Sequence, residues 1–122
     1  MVTVYSETAQ EDLTVKAIEQ AVAHFFGMRV DELHHKSNAR DVAVPRRLAM
    51  YLMKQMTEAS AREIGQHFGN RLPSNVERTI ATLEKHRCKK GGVIDLVLRE
   101  LLEHTELRVA REGKRLARHR LM

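Results

Sequence analysis

The chain has 122 residues, with 21 Lys and Arg against 16 Asp and Glu, a net charge of +5 and an isoelectric point near 9.7. This length holds one domain with a single modest core and leaves no room for a large catalytic architecture, while the basic balance favours a polyanionic partner. Cys88 is the single cysteine, so the chain cannot form an intrachain disulfide, and the N-terminal MVTVYSETAQED lacks the pattern of a signal peptide. No apolar run approaches the ~20 residues that cross a bilayer. We therefore expect a protein of the reducing cytosol with no membrane role.

The N-terminal quarter predicts one long helix and one short helix. Residues 1–11 show no consistent period, and we expect a loose lead-in there. From Leu13 onward, apolar residues recur every three or four positions and predict a helix that Gly27 ends. The acids of VDEL complement the positive start of a brief second helix, from about Asp31 to His35. The apolar face of the first helix consists of Val15, Ile18, Val22 and Phe25.

A third helix is predicted to begin at Pro45. The preceding KSNARDVAV has no helical periodicity and predicts a loop, whereas the preset φ of proline suits a first helical position. The apolar stripe of PRRLAMYLMKQM leaves Arg46, Arg47 and Lys54 off the buried face. That stripe consists of Leu48, Leu52, Met53 and Met56, with the methionines acting as core fillers.

The next segment predicts two helices joined by a tight corner. In S-A-R-E, Ser60 and Glu63 form a capping box that begins the fourth helix. Gly69 and Asn70 both tolerate a positive φ and predict the corner, and Pro73 fits the first turn of the fifth helix. The inward-facing residues of the two helices are Ile64, Phe68, Val76, Ile80 and Leu83.

The C-terminal part predicts a sixth helix and a basic tail. KKGG, residues 89–92, ends the fifth helix, and a wide apolar stripe begins near Val93. We expect this helix to continue into RVAREGKRLARHRLM, which is strongly basic. The sequence as a whole predicts an all-α protein, a six-helix bundle that contains a helix-turn-helix. The stripe consists of Ile94, Val97, Leu98, Leu101 and Leu102.

Residues 60–87 meet the requirements of a helix-turn-helix that enters the major groove of DNA. Such a motif needs an anchored supporting helix, a tight turn and a second helix that projects polar residues from its first turn. Arg71, Ser74, Asn75 and Arg78 lie at or near that exposed start. On spacing alone, a simple packing corner between two helices is the alternative interpretation.

Longer motifs resemble a known family. The stretch VAVPRRLAMYLMKQMTEASAREIGQHFGNR, with LTVKAIEQAVAHFFGMRVDELHHKS before it, is similar to the C-terminal DNA-binding domain, domain IV, of the bacterial replication initiator DnaA, in the Trp-repressor-like superfamily. The resemblance covers residues 12–105, which leaves a lead-in at 1–11 and a basic helical extension at 106–122. It implies a domain that binds a short asymmetric duplex site, with its helix-turn-helix in the major groove and the basic loop before the third helix near the minor groove.

The resemblance also implies which residues approach DNA. Arg46 and Arg47 fall on an Arg-Gln pair of the family. The implied DNA contact therefore carries over fully for Arg46, whereas Arg47 carries over only as a positive charge at its position. The loop is less basic than is usual in the family, and Asp41 would repel phosphate. The implied DNA-binding residues are Lys36, Asn38, Arg40, Arg46, Arg47, Arg71, Ser74, Asn75 and Arg78, with Ser37 in the same loop.

The chain departs from the family just after the corner. The family runs G-G-R-D-H-T-T-V, whereas this chain has GNRLPSNV, so Leu72 and Pro73 replace two base-reading residues whose hydrogen bonds they cannot make. Arg71 suits a guanine edge or a phosphate. Asn75 suits an adenine, or is an exposed helical residue without a special role. The departure predicts DNA binding with an altered sequence preference.

The sequence contains no motif for nucleotide binding, catalysis or metal binding. The chain has no G-x-x-x-x-G-K-S/T loop, so we expect no bound nucleotide, and it has no G-x-S-x-G elbow or Cys/His arrangement, so we expect no enzyme and no cofactor. His34 and His35 are adjacent and His86-x-Cys88 lacks zinc-finger spacing, so we expect no metal site. The initial Met and the basic extension favour a free-standing relative over an excised fragment.

The sequence therefore leaves two possible functions. The first is a sequence-selective domain that binds double-stranded DNA in the bacterial cytoplasm, at the nucleoid. The alternative is a helical protein-interaction module that has lost base reading and docks on a partner protein through the RLARHRLM helix. The replacement of the family's signature by LPSN supports the alternative, whereas the charge and the corner favour the first.

Overall fold

The fold is all-α over the part of the chain that the structure describes. This computed structural model describes residues 7–34, 40–104 and 107–112, with side chains from residue 13 and, after the first gap, from residue 41. Within those ranges no helix is long and apolar enough to span a membrane. The helices are α1 (Glu7–Phe26), α2 (Val30–Leu33), α3 (Arg40–Met56), α4 (Ala61–His67), α5 (Pro73–Arg87), α6 (Val93–Glu103) and α7 (residues 107–112).

The predicted apolar stripes meet in one core. Ile18 and Val22 of α1 are fully buried, and they share the core with Leu48 of α3. Phe25, however, is 41% exposed, and the prediction that it faces the core is wrong. Phe26 packs against the core instead, since it follows Val22 by four residues and so lies on the same helical face. Further core residues are Leu52 of α3, Ile64 of α4, Phe68 just after α4, Val76 of α5, and Leu98 and Leu101 of α6.

Two helices begin earlier than the sequence predicts. α1 starts at Glu7, inside the expected lead-in, and α3 starts at Arg40, five residues before Pro45. Proline is tolerated there because its missing N–H removes only one bond, to the carbonyl of Asp41 close to the helix start. α2 ends at Leu33, and the predicted extension to His35 lies outside the described residues.

Arg46 is the main correction to the predicted faces of α3. It is only 2% exposed, whereas Arg47 and Lys54 are exposed as expected. A helix repeats every 3.6 residues, so Arg46 lies above Met50 and Met53, which are 3% and 4% exposed. The side chain of Arg46 therefore lies along an apolar stripe.

The predicted corner is confirmed in its details. The Oγ of Ser60 accepts from the N–H of Glu63 at 3.1 Å, and a carboxylate oxygen of Glu63 accepts from the N–H of Ser60 at 3.1 Å. Gly69 and Asn70 have φ values of +91° and +59°. Pro73 is the first residue of α5, so the chain turns where the sequence predicts.

The C-terminal end differs from the prediction. α6 ends at Glu103, because the extended backbone of His104 (φ −60°, ψ 138°) turns the chain before α7. This turn brings Leu107 and Ala110 into the core, at 0% and 8% exposure. α7 is therefore packed against the domain rather than continuing α6. The rest of the predicted extension, residues 113–122, lies outside the described part.

Candidate nucleic-acid interface

The C-terminal side of the corner faces a basic groove. An open groove of about 450 Å³ lies between α3, the corner and the start of α5. We call it the arginine groove, after Arg46, Arg47, Arg71 and Arg78. Five of the nine residues predicted to bind DNA line it, although they come from two separate segments of the chain. The lining consists of Arg46, Arg47, Met50, Arg71, Asn75, Val76, Arg78 and Thr79.

The electrostatics of the groove favour an anion. Burial, together with the positive charges of Arg71 and Arg47, lowers the pKa of Arg46 to about 10. The charged form of Arg46 is therefore disfavoured by its surroundings, although it remains charged at neutral pH. A phosphate group in the groove would bring a negative charge close to these guanidinium groups.

The corner fixes the backbone that carries Arg71. The backbone N–H of Arg71 donates to the carbonyl of Gly65 at 2.8 Å, and the Nε of Arg71 donates to the carbonyl of Phe68 at 3.0 Å. A Cβ on Gly65 would lie 2.1 Å from the Arg71 carbonyl oxygen, so only glycine permits this close approach. The guanidinium of Arg71 is thereby held at the edge of the groove.

The start of α5 presents polar side chains to solvent. Leu72 precedes the helix without a capping side chain, and Ser74 and Asn75 are exposed in the first turn. The first turn of a helix carries partial positive charge, which suits phosphate. Leu72 itself is 64% exposed, so an apolar side chain lies beside the polar ones.

A buried tyrosine joins the two helices that line the groove. The hydroxyl of Tyr51 on α3 donates to the carboxylate of Glu84 on α5, and Nη1 of Arg87 donates to the Tyr51 oxygen at 2.9 Å. Burial and the bond to Glu84 raise the pKa of Tyr51, against the opposing effect of Arg87. No local pattern predicts this contact. The only sign of it in the sequence is a tyrosine beside the apolar stripe of α3.

The remaining predicted residues either do not line the arginine groove or have side chains outside the described part. Ser74 is exposed beside the arginine groove but does not line it. Arg40 begins α3, and its side chain lies outside the described part, as do Lys36 and Asn38. Asp41 is exposed in the first turn of α3, at the end of the same loop.

Comparisons with known proteins agree with this geometry. The family model described as the bacterial dnaA protein helix-turn-helix matches residues 15–82, which is more than half of the chain. The chain is 43% identical over 75 residues to the chromosomal replication initiator protein DnaA of Chlorobaculum tepidum, covering 62% of this chain and 15% of that protein. It is 35% identical over 92 residues to the DnaA of Anaplasma marginale, covering 73% of this chain and 20% of that protein.

A third relative is the DnaA of Lactobacillus acidophilus, which is 32% identical over 94 residues, covering 75% of this chain and 21% of that protein. The chain thus spans about a fifth or less of the length of these relatives. The matched region includes all residues that line the arginine groove, the whole of α4 and the first ten residues of α5. On this combination of sequence, fold and site, the chain belongs to the helix-turn-helix family of bacterial DnaA, a DNA-binding and not a catalytic family.

Proposed function

We propose that this chain binds double-stranded DNA through the arginine groove, at the bacterial nucleoid. The observation that carries the proposal is the convergence of Arg46, Arg47, Arg71 and Arg78 on one groove beside the start of α5. Arginine binds phosphate and base edges through its planar, forked donors. The names of the DnaA relatives and the description of the matching family support the same function.

In the proposed complex the first turn of α5 enters the major groove. Arg71 and Asn75 then face base edges, where arginine pairs with guanine and asparagine with adenine. Arg46 and Arg47 contact the phosphates that flank the groove, and Arg78 follows one turn further along α5. The loop before α3, with Lys36, Asn38 and Arg40, approaches the adjacent minor groove.

We further propose that the preferred sequence differs from that of the family. Leu72 and Pro73 carry no hydrogen-bonding side chain, although they occupy the start of the reading helix. Leu72 is exposed and apolar, so it suits contact with a thymine methyl group. Loss of two polar contacts, at about 1–3 kcal/mol each, removes much of the ~4–10 kcal/mol that separates specific from nonspecific binding.

Binding to duplexes of random sequence at several salt concentrations tests DNA binding itself. We expect log affinity to fall linearly with log salt, with a slope of about −0.9 for each phosphate neutralised. The Arg71→Ala variant should bind more weakly, whereas Lys54→Ala, which changes an exposed charge of α3 outside the groove, should bind like the parent. If no salt-sensitive binding is found, the DNA proposal fails and the protein-interaction module becomes the better interpretation.

Selection from randomised duplexes, followed by competition, tests the altered preference. The selected site should compete better than the family's initiator box, and the box should compete little better than a scrambled duplex of equal composition. A preference for the box over the scrambled duplex above about a hundredfold, or about 2.7 kcal/mol, would show that Leu72 and Pro73 do not change recognition.

A further inference from the structure

A second cluster lies next to the corner and shares no residue with the lining of the arginine groove. It joins Glu19 of α1, His34 just after α2 and His67, the last residue of α4. Nε2 of His34 lies 2.6 Å from one carboxylate oxygen of Glu19, and Nε2 of His67 lies 2.7 Å from the other. One potential ligand atom from each residue lies within 4.8 Å of the others. The three residues are 15 and 33 positions apart, so spacing along the chain gives no sign of them.

The hydrogen bonds of His34 leave a lone pair that points at the carboxylate. Its Nδ1 lies 2.8 Å from the backbone carbonyl of His67, which can only accept, so Nδ1 carries the proton. In the neutral ring, Nε2 is then an acceptor that faces a second acceptor, the Glu19 oxygen. Two acceptors 2.6 Å apart require a cation between them, either a proton or a metal ion.

The carboxylate of Glu19 is also placed to bind a cation. Its side chain is only 8% exposed, whereas the two imidazoles are 31% and 35% exposed. A buried carboxylate is therefore held beneath two rings that solvent can reach.

We propose that Glu19, His34 and His67 form a binding site for Zn²⁺, with water as the fourth ligand. Two imidazole nitrogens and one carboxylate oxygen are a ligand set that zinc uses with an open position. The bond from Nδ1 of His34 to a backbone carbonyl is the outer-shell contact that orients a metal-binding histidine. The ring is also stacked on Phe68, with centroids 5.2 Å apart and planes 12° apart.

Metal entry requires the ligand atoms to rearrange. Ligand atoms about 2 Å from a tetrahedral ion lie roughly 3.3 Å apart, so the 2.6 and 2.7 Å contacts, which go to different oxygens of Glu19, must open by about 0.6 Å. Ligand atoms as far apart as 4.8 Å must draw together by up to about 1.5 Å. The exposed imidazole edges allow this rearrangement. The bound ion would connect α1, the α2 end and α4, next to the positive-φ corner at Gly69. It would thus hold the supporting helix of the helix-turn-helix against α1.

The test uses the full chain with Cys88→Ser, which removes an exposed thiol that could bind metal independently. We expect calorimetric titration with Zn²⁺ at neutral pH to show one equivalent bound and the melting temperature to rise. Co²⁺ should give a visible absorption band typical of a four-coordinate nitrogen and oxygen site. His34→Gln and His67→Gln should each weaken Zn²⁺ binding by more than about a hundredfold, since loss of outer-shell partners alone costs 10–100-fold.

The control is His86→Gln, which removes an exposed histidine from α5 and should leave Zn²⁺ binding unchanged. Equal Zn²⁺ binding by the parent, His34→Gln and His67→Gln would overturn the proposal, and so would the absence of stoichiometric binding by the parent. In the second case the cluster is held by protons alone. Duplex binding measured in the presence of a chelator keeps the two proposals separate, since arginine-groove contacts need no metal.

Discussion

At the scale of single residues, Arg46 shows how a positive charge can be built into a core stripe. Its position above Met50 and Met53 buries the side-chain stem, while Arg71 and Arg47 place further positive charge beside its head. Sequence reasoning identified Arg46 as a candidate but put it on the wrong face. The apolar stripe was read from apolar residues alone, and the long arginine stem can occupy such a stripe as well.

Arg46→Met tests this dual position. Methionine keeps a flexible apolar stem in the core and removes the charge, so we expect the fold to persist and the slope of log affinity against log salt to become shallower by about 0.9. Binding to duplex at four salt concentrations measures the slope, and a melting curve checks the fold. Arg46→Lys retains the charge and should keep the parent slope. An unchanged slope for Arg46→Met would remove Arg46 from the interface.

At the scale of the elements, the Ser60 cap sets where α4 begins. Ser60→Ala removes the bond to the N–H of Glu63, and we expect the free energy of unfolding to fall by about 1 kcal/mol. Urea denaturation measures the change, and Gln66→Ala, at an exposed position of the same helix, should cost little. A loss as small as that of Gln66→Ala would mean that packing of Ile64 and Phe68 alone defines the helix start.

The same cap makes stability depend on pH. The backbone and side-chain bonds of Ser60 lower the pKa of Glu63 from 4.5, so folding favours the ionised carboxylate. This contribution is fully present above pH 4.5 and is lost as the pH falls through the lower pKa of the folded state. Urea melts of the parent and of Glu63→Gln, which cannot ionise, should therefore converge under acid conditions. A constant difference between them at all pH values would contradict this.

Gly65→Ala tests the close approach at the corner. The new Cβ would lie 2.1 Å from the Arg71 carbonyl oxygen, so the backbone of the corner must move. We expect unfolding to become easier by about 1–3 kcal/mol, as for other overpacked sites. We also expect weaker duplex binding, since Arg71 moves with that backbone. Chemical denaturation and duplex titration measure the two effects, and parent-like values in both would show that the corner adapts.

At the scale of the whole molecule, the basic tail is expected to add affinity without reading sequence. Residues 113–122 include four Lys and Arg residues, and charge outside the grooves meets phosphate uniformly. Removal of 113–122 should weaken binding to all duplexes by the same factor. The cut must follow Glu112, because Leu107 and Ala110 belong to the core. A loss confined to one sequence would assign the tail a role in recognition.

How well the sequence predicts a feature of this fold depends on how far apart along the chain the interacting residues lie. Local signals located the Ser60 cap, the Gly69 corner and the start of α5, because each depends on residues within a few positions. The start of α3 was missed since proline is tolerated beyond the first turn when few bonds are lost. The Glu19, His34 and His67 cluster and the Tyr51 contact depend on packing between distant segments, which no local pattern encodes.

The contact of Tyr51 with Glu84 and Arg87 has a consequence for the DNA itself. It links α3 to α5, which carry Arg46, Arg47 and Arg78, so a change in the spacing of these arginines would have to break or bend the contact. A duplex that binds there has to match a preformed spacing of charges. Adjustment in the complex then falls mainly on the curvature and groove width of the DNA, and flexible base-pair steps outside the contacted bases should be favoured on mechanical grounds.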